Sequence, residues 1–279
     1  MCVPGCHEAI VQRMRLDRRN LFRRGAMVAA AAAATTVCGT LALPARAAGP
    51  ISFSKVVDLT HALGPDFPTF FGKPQLEIEV LNTYAEHKFN MKKWTIVEHT
   101  GTHLDTPFHF SADGASADEI PVEQLVVPLV VVDIAARAEG DADAQLTPDD
   151  IKAWEAANGP IPQGACVAMH SGWAAQLMTP KFRNVDAQGT MHFPGFHLEA
   201  AQLLMTERQV GGIAVDTLSL DFGKSPDFAV HYAWLPSGRW GIECIAGLDQ
   251  VPAKGATLVV GGPKIVGATG GPSRVLALV

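Results

Sequence analysis

The segment Glu98-His99-Thr100-Gly101-Thr102-His103-Leu104-Asp105-Thr106-Pro107-Phe108-His109 constrains this chain more than any other stretch. It sets three of the ten histidines within eleven positions. Gly101, the threonines and Pro107 disfavour a helix, and an extended backbone sends alternate residues to one side. His99, Gly101, His103 and Asp105 are therefore expected on a common face. Two imidazoles and a carboxylate converging there are a three-ligand set suited to Zn²⁺ or Mn²⁺, with the bare Gly101 leaving room for the ion. A divalent ion can lower the pKa of its water from about 15.7 to about 7 and polarise a carbonyl. His109, just past the turn expected at Pro107, is the candidate general acid/base for proton transfer to a leaving group.

The rest of the chain is read around that segment. Arg13, Arg15, Arg18, Arg19, Arg23 and Arg24 precede an apolar run from Ala26 to Val37 that continues to Leu43, and Ala45-Arg46-Ala47 has the small-x-small pattern of a cleavage site. Asp17-Arg18-Arg19-Asn20-Leu21-Phe22-Arg23 resembles a twin-arginine signal. Residues 1–47 are thus expected to be an export leader, residues 48–279 the mature domain, and the location periplasmic. Met14, just ahead of the arginine pair, is an alternative start. The apolar run is short for a span of about 20 residues and is followed by Pro44 and Arg46, so no stable membrane insertion is expected after cleavage. A lipid-anchored Cys38 has a poor lead-in at Thr36-Val37.

The leader holds seven of the 22 basic residues and two of the 28 acidic ones, which leaves the remainder at −11. That balance argues against a nucleic-acid partner, and the hydrolytic site above leads to the expectation of a small-molecule substrate. Cys166 and Cys244 are too few for a disulfide framework and are expected as buried thiols. About 230 residues without repeats or low-complexity linkers suit a single core.

Strands are expected at 55–59, 76–81, 94–99, 129–134, 165–170, 212–216, 257–260 and 274–278, from β-branched runs bounded by Gly or Pro. Thr147-Pro148-Asp149-Asp150 reads as a cap, a first-turn proline and a capping-box acid opening a helix to about Ala157. A second helix is expected over 197–208, with Leu198, Ala201, Leu204 and Met205 on one face. The fold class is mixed α/β, a mixed sheet with flanking helices.

The pattern His99-Thr-Gly-Thr-His103-Leu-Asp105-Thr-Pro107-Phe-His109 resembles the hallmark of the cyclase-like metal hydrolases that include bacterial kynurenine formamidase and isatin hydrolase. The resemblance extends from Asp58-Leu59-Thr60-His61 through Val215-Asp216-Thr217-Leu218-Ser219-Leu220-Asp221 to His231 and Glu243. It implies a swivelling β/β/α domain, homodimers or homotetramers, and one or two divalent ions per subunit. It also implies that His231 and Glu243, twelve positions apart, complete the centre, with Asp105 and Glu243 bridging and His231 in the second site. Among Phe67, Phe70, Phe71 and Gly72, Phe70 stands where the family places a substrate-facing aromatic, usually tryptophan in the kynurenine-specific members.

Asp216 and Asp221 are read as turn caps in preference to partners of ligand histidines. His170-Ser171-Gly172-Trp173 is read as a candidate pocket wall. No nucleophile elbow accompanies Ser171, which argues against a serine hydrolase. The expected activity is hydrolysis of an amide-type C–N bond, in an aryl formamide or a cyclic amide, by metal-bound hydroxide with His109 shuttling the proton. The alternatives are lactone or ester hydrolysis on the same scaffold, or a non-catalytic exported protein that binds metal or ligand.

Overall fold

The β-branched runs near residues 129, 166 and 212 form the parallel heart of a nine-stranded sheet in the computed structural model, which describes residues 52–279. The leader and cleavage site expected at 1–47 lie outside the described residues. In chain order the strands are β1 (Val56–Asp58), β2 (Leu76–Asn82), β3 (Met91–Ile96), β4 (His103–Asp105), β5 (Val126–Asp133), β6 (Gln145–Leu146), β7 (Cys166–His170), β8 (Gly195–Phe196), β9 (Gly212–Val215), β10 (Trp240–Glu243), β11 (Ala256–Gly261), β12 (Gly270–Pro272) and β13 (Arg274–Leu278). The helices are α1 (Tyr84–His87), α2 (Ala135–Gly140), α3 (Pro148–Asn158), α4 (Leu198–Thr206) and α5 (Ala229–Trp234).

The large sheet has the order β1-β13-β11-β5-β7-β9-β10-β4-β12. Strands β5, β7, β9 and β10 run parallel, and antiparallel wings extend from both sides of that block. Parallel strands are covered on both faces, which explains why β9 and β10 are buried at every position. The period-2 alternation divides the core accordingly. Val130, Val132, Val167, Met169, Ile213 and Val215 pack on the side of α3, α4 and α5. Leu129, Val131, Cys166, Ala168 and Ala214 face the other way, against Trp240, Ile242 and Leu258.

Local signals fix the two long helices. Thr147 Oγ1 accepts from the Asp150 N–H at 3.4 Å while Asp150 accepts from the Thr147 N–H at 2.7 Å, a complete capping box at the start of α3. His197 caps α4, its ring accepting from the Glu199 N–H at 3.2 Å. Both described cysteines, Cys166 and Cys244, are free and buried. Among the described residues no helix is long and apolar enough to cross a membrane.

Two expectations change. Strand β3 ends at Ile96, and residues 97–102 bend instead of continuing an extended run to Asp105. Strand β4 falls within the extended run expected to Asp105, whereas strands β10 and β12 and helix α5 were not apparent in the sequence pattern, because each is six residues or shorter and is defined by its neighbours.

Candidate metal centre and active site

Strand β4 sets His103 and Asp105 on one face, two residues apart, as the pleat requires. Its antiparallel partner β10 places Glu243 directly opposite His103. These two short strands bring residues 140 positions apart to one point. The His103 Nε2 atom lies 3.2 Å from Asp105 Oδ1 and 3.4 Å from Glu243 Oε2.

His99 reaches the same point by a different route from the one expected. Gly101 has φ +71°, a left-handed conformation that L side chains rarely adopt, and the resulting bend returns the chain toward β4. His99 Nδ1 then stands 2.7 Å from Asp105 Oδ1. A Cβ at residue 101 would also come within 2.9 Å of Leu63 Cδ1. The glycine is thus required for the bend and for Leu63. The earlier expectations, that it leaves space for an ion and that strand alternation aligns His99, are both corrected.

His231 arrives on α5. Phe228, with φ +53°, starts that helix, and Asp221 caps it by accepting the N–H groups of Val230 at 2.8 Å and His231 at 3.1 Å. The same carboxylate accepts from His231 Nδ1–H at 2.6 Å, so His231 Nε2 points to Glu243 Oε1 at 3.1 Å and Asp105 Oδ2 at 3.8 Å. Asp221 therefore orients the imidazole, a role the sequence reading had ranked below simple turn capping. Asp216 is structural as expected: it accepts from the backbone N–H groups of Ser171 and Trp173.

The cluster suits a cation. Asp105, Glu243, Asp221, His103 and His231 are all buried. Burial alone would lower the His103 pKa, but the negative charge of Asp105, with Glu243 behind it, raises it to about 9. Burial opposes the charged form of His231 as well, and Asp105, Asp221 and Glu243 override it. Asp105 is held well below the usual carboxylate range despite its burial, chiefly by His103. Three acids, Asp105, Glu243 and Asp221, thus crowd around these two imidazoles in a buried site, where an unpaired ion costs several kcal/mol. Two buried atoms, His103 Nε2 and Asp105 Oδ2, have no hydrogen-bond partner. His103 Nδ1–H donates to the Gly101 carbonyl at 2.8 Å, so Nε2 is the nitrogen turned to the acids and the one that would offer a lone pair once a cation displaced its proton. Two overlapping triads, His99/His103/Asp105 and Asp105/His231/Glu243, each present donor atoms within 4.8 Å of one another. Imidazole nitrogens and carboxylate oxygens with free lone pairs are the donor set that a divalent metal takes.

His109 sits in the turn Pro107–Phe110 and stacks on His99, with ring centroids 3.7 Å apart and planes 20° from parallel. Burial pushes its pKa down to about 4; Asp105 pulls it up, and the neighbouring imidazoles push it down again. His109 is consequently a neutral imidazole at neutral pH, available as a base.

A cavity of about 330 Å³ opens over these groups and is lined also by Phe67, Phe70, Phe110 and Phe228. Phe70 and Phe228 approach at 5.8 Å between centroids with their rings tilted by 43°. His170, Ser171 and Trp173 do not line it, contrary to expectation. His170 instead lies 3.2 Å from Asp133, and Trp173 is packed beneath the cavity with Phe67, Leu218 and Cys244.

Residues 57–222 match the family model described as "Putative cyclase". An isatin hydrolase from Roseibium aggregatum is 35% identical over 81% of this chain and 92% of its own length. A kynurenine formamidase from Salinibacter ruber is 26% identical over 79% of this chain and 96% of its length. The solved structure of isatin hydrolase A from Ralstonia solanacearum, 37% identical, superposes with a TM-score of 0.76 over 81% of this chain and 92% of that one. On the extent of the family match and the coverage of these relatives, the chain belongs to the cyclase family.

Proposed function

We infer that this protein is a metal-dependent hydrolase of amide-type C–N bonds outside peptides, and that its substrate is a planar aryl amide, with cyclic amides ahead of aryl formamides. The observation that carries the reading is the buried carboxylate-imidazole cluster with two unpartnered donor atoms, placed against an aromatic cavity. His99, His103 and Asp105 would hold one divalent ion, and His231 and Glu243 would complete the centre as one or two ions of Zn²⁺ or Mn²⁺. When bound, the ion supplies an acidified water and polarises the scissile carbonyl.

The chain's own residues do the rest. Phe70 and Phe228 stack on the aryl ring, a contact worth about 0.5–1.5 kcal/mol beyond the area buried. The apolar wall keeps bulk water from the reacting carbonyl. His109, neutral at rest, takes a proton at a ring nitrogen, holds it as imidazolium, and returns it to the departing amide nitrogen, which cannot leave as an anion at useful rates. Asp221 keeps the His231 ring in one tautomer, with Nε2 turned inward.

Elemental analysis of purified protein, followed by matched formanilides, isatin-type rings and lactones assayed with metal present and chelated, tests this directly. Chelator-sensitive turnover of the amides is expected. Lactone turnover that exceeds every amide in kcat/KM would select the ester-type alternative. A metal-loaded protein inert to the whole panel would point to a binding protein.

Homodimers or homotetramers fit one further feature. Strands β2 and β3 form a two-stranded ribbon separate from the main sheet, with Ile78 paired to Trp94 and Leu76 to Ile96. Trp94 is 70% exposed and Val80 57%. A lone ribbon is marginal in water, and such a face favours cover by a second copy. Trp94→Glu is expected to shift the particle mass in light scattering toward the monomer, with secondary structure retained. A monomeric wild type at micromolar concentration would defeat this reading. Export of the folded enzyme through the twin-arginine route fits the leader; a reporter fused to residues 1–47 that stays in the cytoplasm would exclude it.

A further inference from the structure

We propose that Glu98 and Thr269 are positioning residues for His99, forming a hydrogen-bonded chain that selects which of its nitrogens faces the metal centre. The inference rests on the reading of His99 as a metal ligand. Thr269 is 170 residues away in sequence and lies immediately before β12, yet its Oγ1 is 2.8 Å from His99 Nε2 and 2.5 Å from Glu98 Oε2. Hydrogen-bond inventory then assigns the protons. Thr269 Oγ1–H donates to Glu98 Oε2, and a hydroxyl has one proton to give. Thr269 Oγ1 must therefore accept from His99, which places the ring proton on Nε2. Nδ1, 2.7 Å from Asp105 Oδ1, is thereby the nitrogen turned into the cluster, and it is there that a divalent ion would take the lone pair in place of the proton shared with Asp105.

The surrounding backbone is shaped for this contact. The Thr269 carbonyl accepts both the N–H of Thr106, at 3.0 Å, and its hydroxyl, at 2.9 Å. The Thr269 N–H faces the Glu98 carboxylate at 3.3 and 3.4 Å. Gly270 lets the chain press against the imidazole, since a Cβ there would stand 2.7 Å from His99 Cε1. Each inward imidazole thus has its own restraint on the opposite nitrogen. His103 uses the Gly101 carbonyl and His231 uses Asp221. His99, carried on a bend with no regular element to hold it, uses Thr269 backed by Glu98. Partners of this kind typically set metal affinity by roughly 10- to 100-fold.

The test compares Thr269→Val, which keeps the shape and removes the hydroxyl, with Thr269→Ser, Glu98→Gln and His99→Ala. Zn²⁺ dissociation constants are measured by competition with a chromophoric chelator, and the visible spectrum of the Co²⁺ form reports ligand geometry. Thr269→Val is expected to weaken Zn²⁺ binding by roughly 10- to 100-fold and alter the Co²⁺ bands, while Thr269→Ser stays within about threefold of wild type. Glu98→Gln should fall between them. A Thr269→Val protein with wild-type affinity and spectrum overturns the proposal, provided His99→Ala binds more weakly than wild type. If Thr269→Val does not fold, wild-type behaviour of Glu98→Gln overturns it. Wild-type affinity in His99→Ala would instead overturn the ligand reading itself, and the positioning proposal with it.

Discussion

Replacing His109 with alanine is expected to lower kcat/KM by roughly 10² to 10⁴, with metal content and melting temperature close to wild type. The size follows from the chemistry of the leaving group. An amide nitrogen must be protonated as the C–N bond breaks; of the titratable side chains at the cavity only His109 and Cys244 lie outside the two triads, and burial pushes the Cys244 thiol up, which leaves His109 for the proton. Folding should tolerate the change, because the ring is only partly buried and its main contact is the stack on His99. His109→Gln preserves much of the shape without the acid/base function and should be as inactive. A loss of less than about threefold in both variants would remove His109 from the reaction.

The pH profile gives a second reading of the same residue. Burial already holds the His109 pKa at about 4, and a nearby divalent cation favours the neutral form further. The residue works as a base only when neutral, so activity should fall as pH drops, with a midpoint below the ordinary histidine value of about 6.5. The acid limb should therefore be displaced downward relative to that of an exposed histidine. An acid midpoint above 7 that disappears in His109→Gln would contradict the assignment of a resting neutral imidazole.

Local chemistry made part of this molecule readable in advance. The capping box at Thr147 and Asp150 and the β-branched runs of β5, β7 and β9 are signals contained within a few residues. His103 and Asp105 were placed correctly by the two-residue pleat of one strand. His99 was expected in the cluster for the wrong local reason, since the left-handed Gly101 turns the chain where an extended run had been assumed. His231 and Glu243 carry no spacing rule of their own, and only the family resemblance singled them out. Geometry explains why: α5 has six residues and no side-chain N-cap of its own, and β10 is defined by pairing with β4 and β9. The part Asp221 plays toward His231 was ranked second and the contact of Thr269 with His99 was missed, because they depend on approaches across 10 and 170 residues. The run Thr269-Gly270-Gly271-Pro272 was the available hint, as paired glycines often mark a close backbone approach.

Removing the metal is expected to lower the melting temperature by about 10 °C at neutral pH, and the gap should widen as pH rises toward 9. An ion held at about a thousand times its dissociation constant stabilises the folded state by about 4.1 kcal/mol. For a domain of this length, each kcal/mol corresponds to about 2–4 °C. The pH dependence comes from the metal-free protein. Its His103 has a pKa raised from 6.5 to about 9, and that of His231 is also raised. A group raised on folding contributes stability that is complete below its unfolded pKa and is lost as pH climbs through the folded one. The metal-free form should thus weaken between pH 6.5 and 9, while the loaded form, whose imidazoles are already neutral, changes little from this source. Proton release is the calorimetric counterpart: at pH 7.5 metal uptake should expel protons, and the apparent binding enthalpy should vary with the ionisation enthalpy of the buffer. Equal melting temperatures with and without chelator, or binding heats independent of buffer, would mean that these buried imidazoles are not where the cation is held.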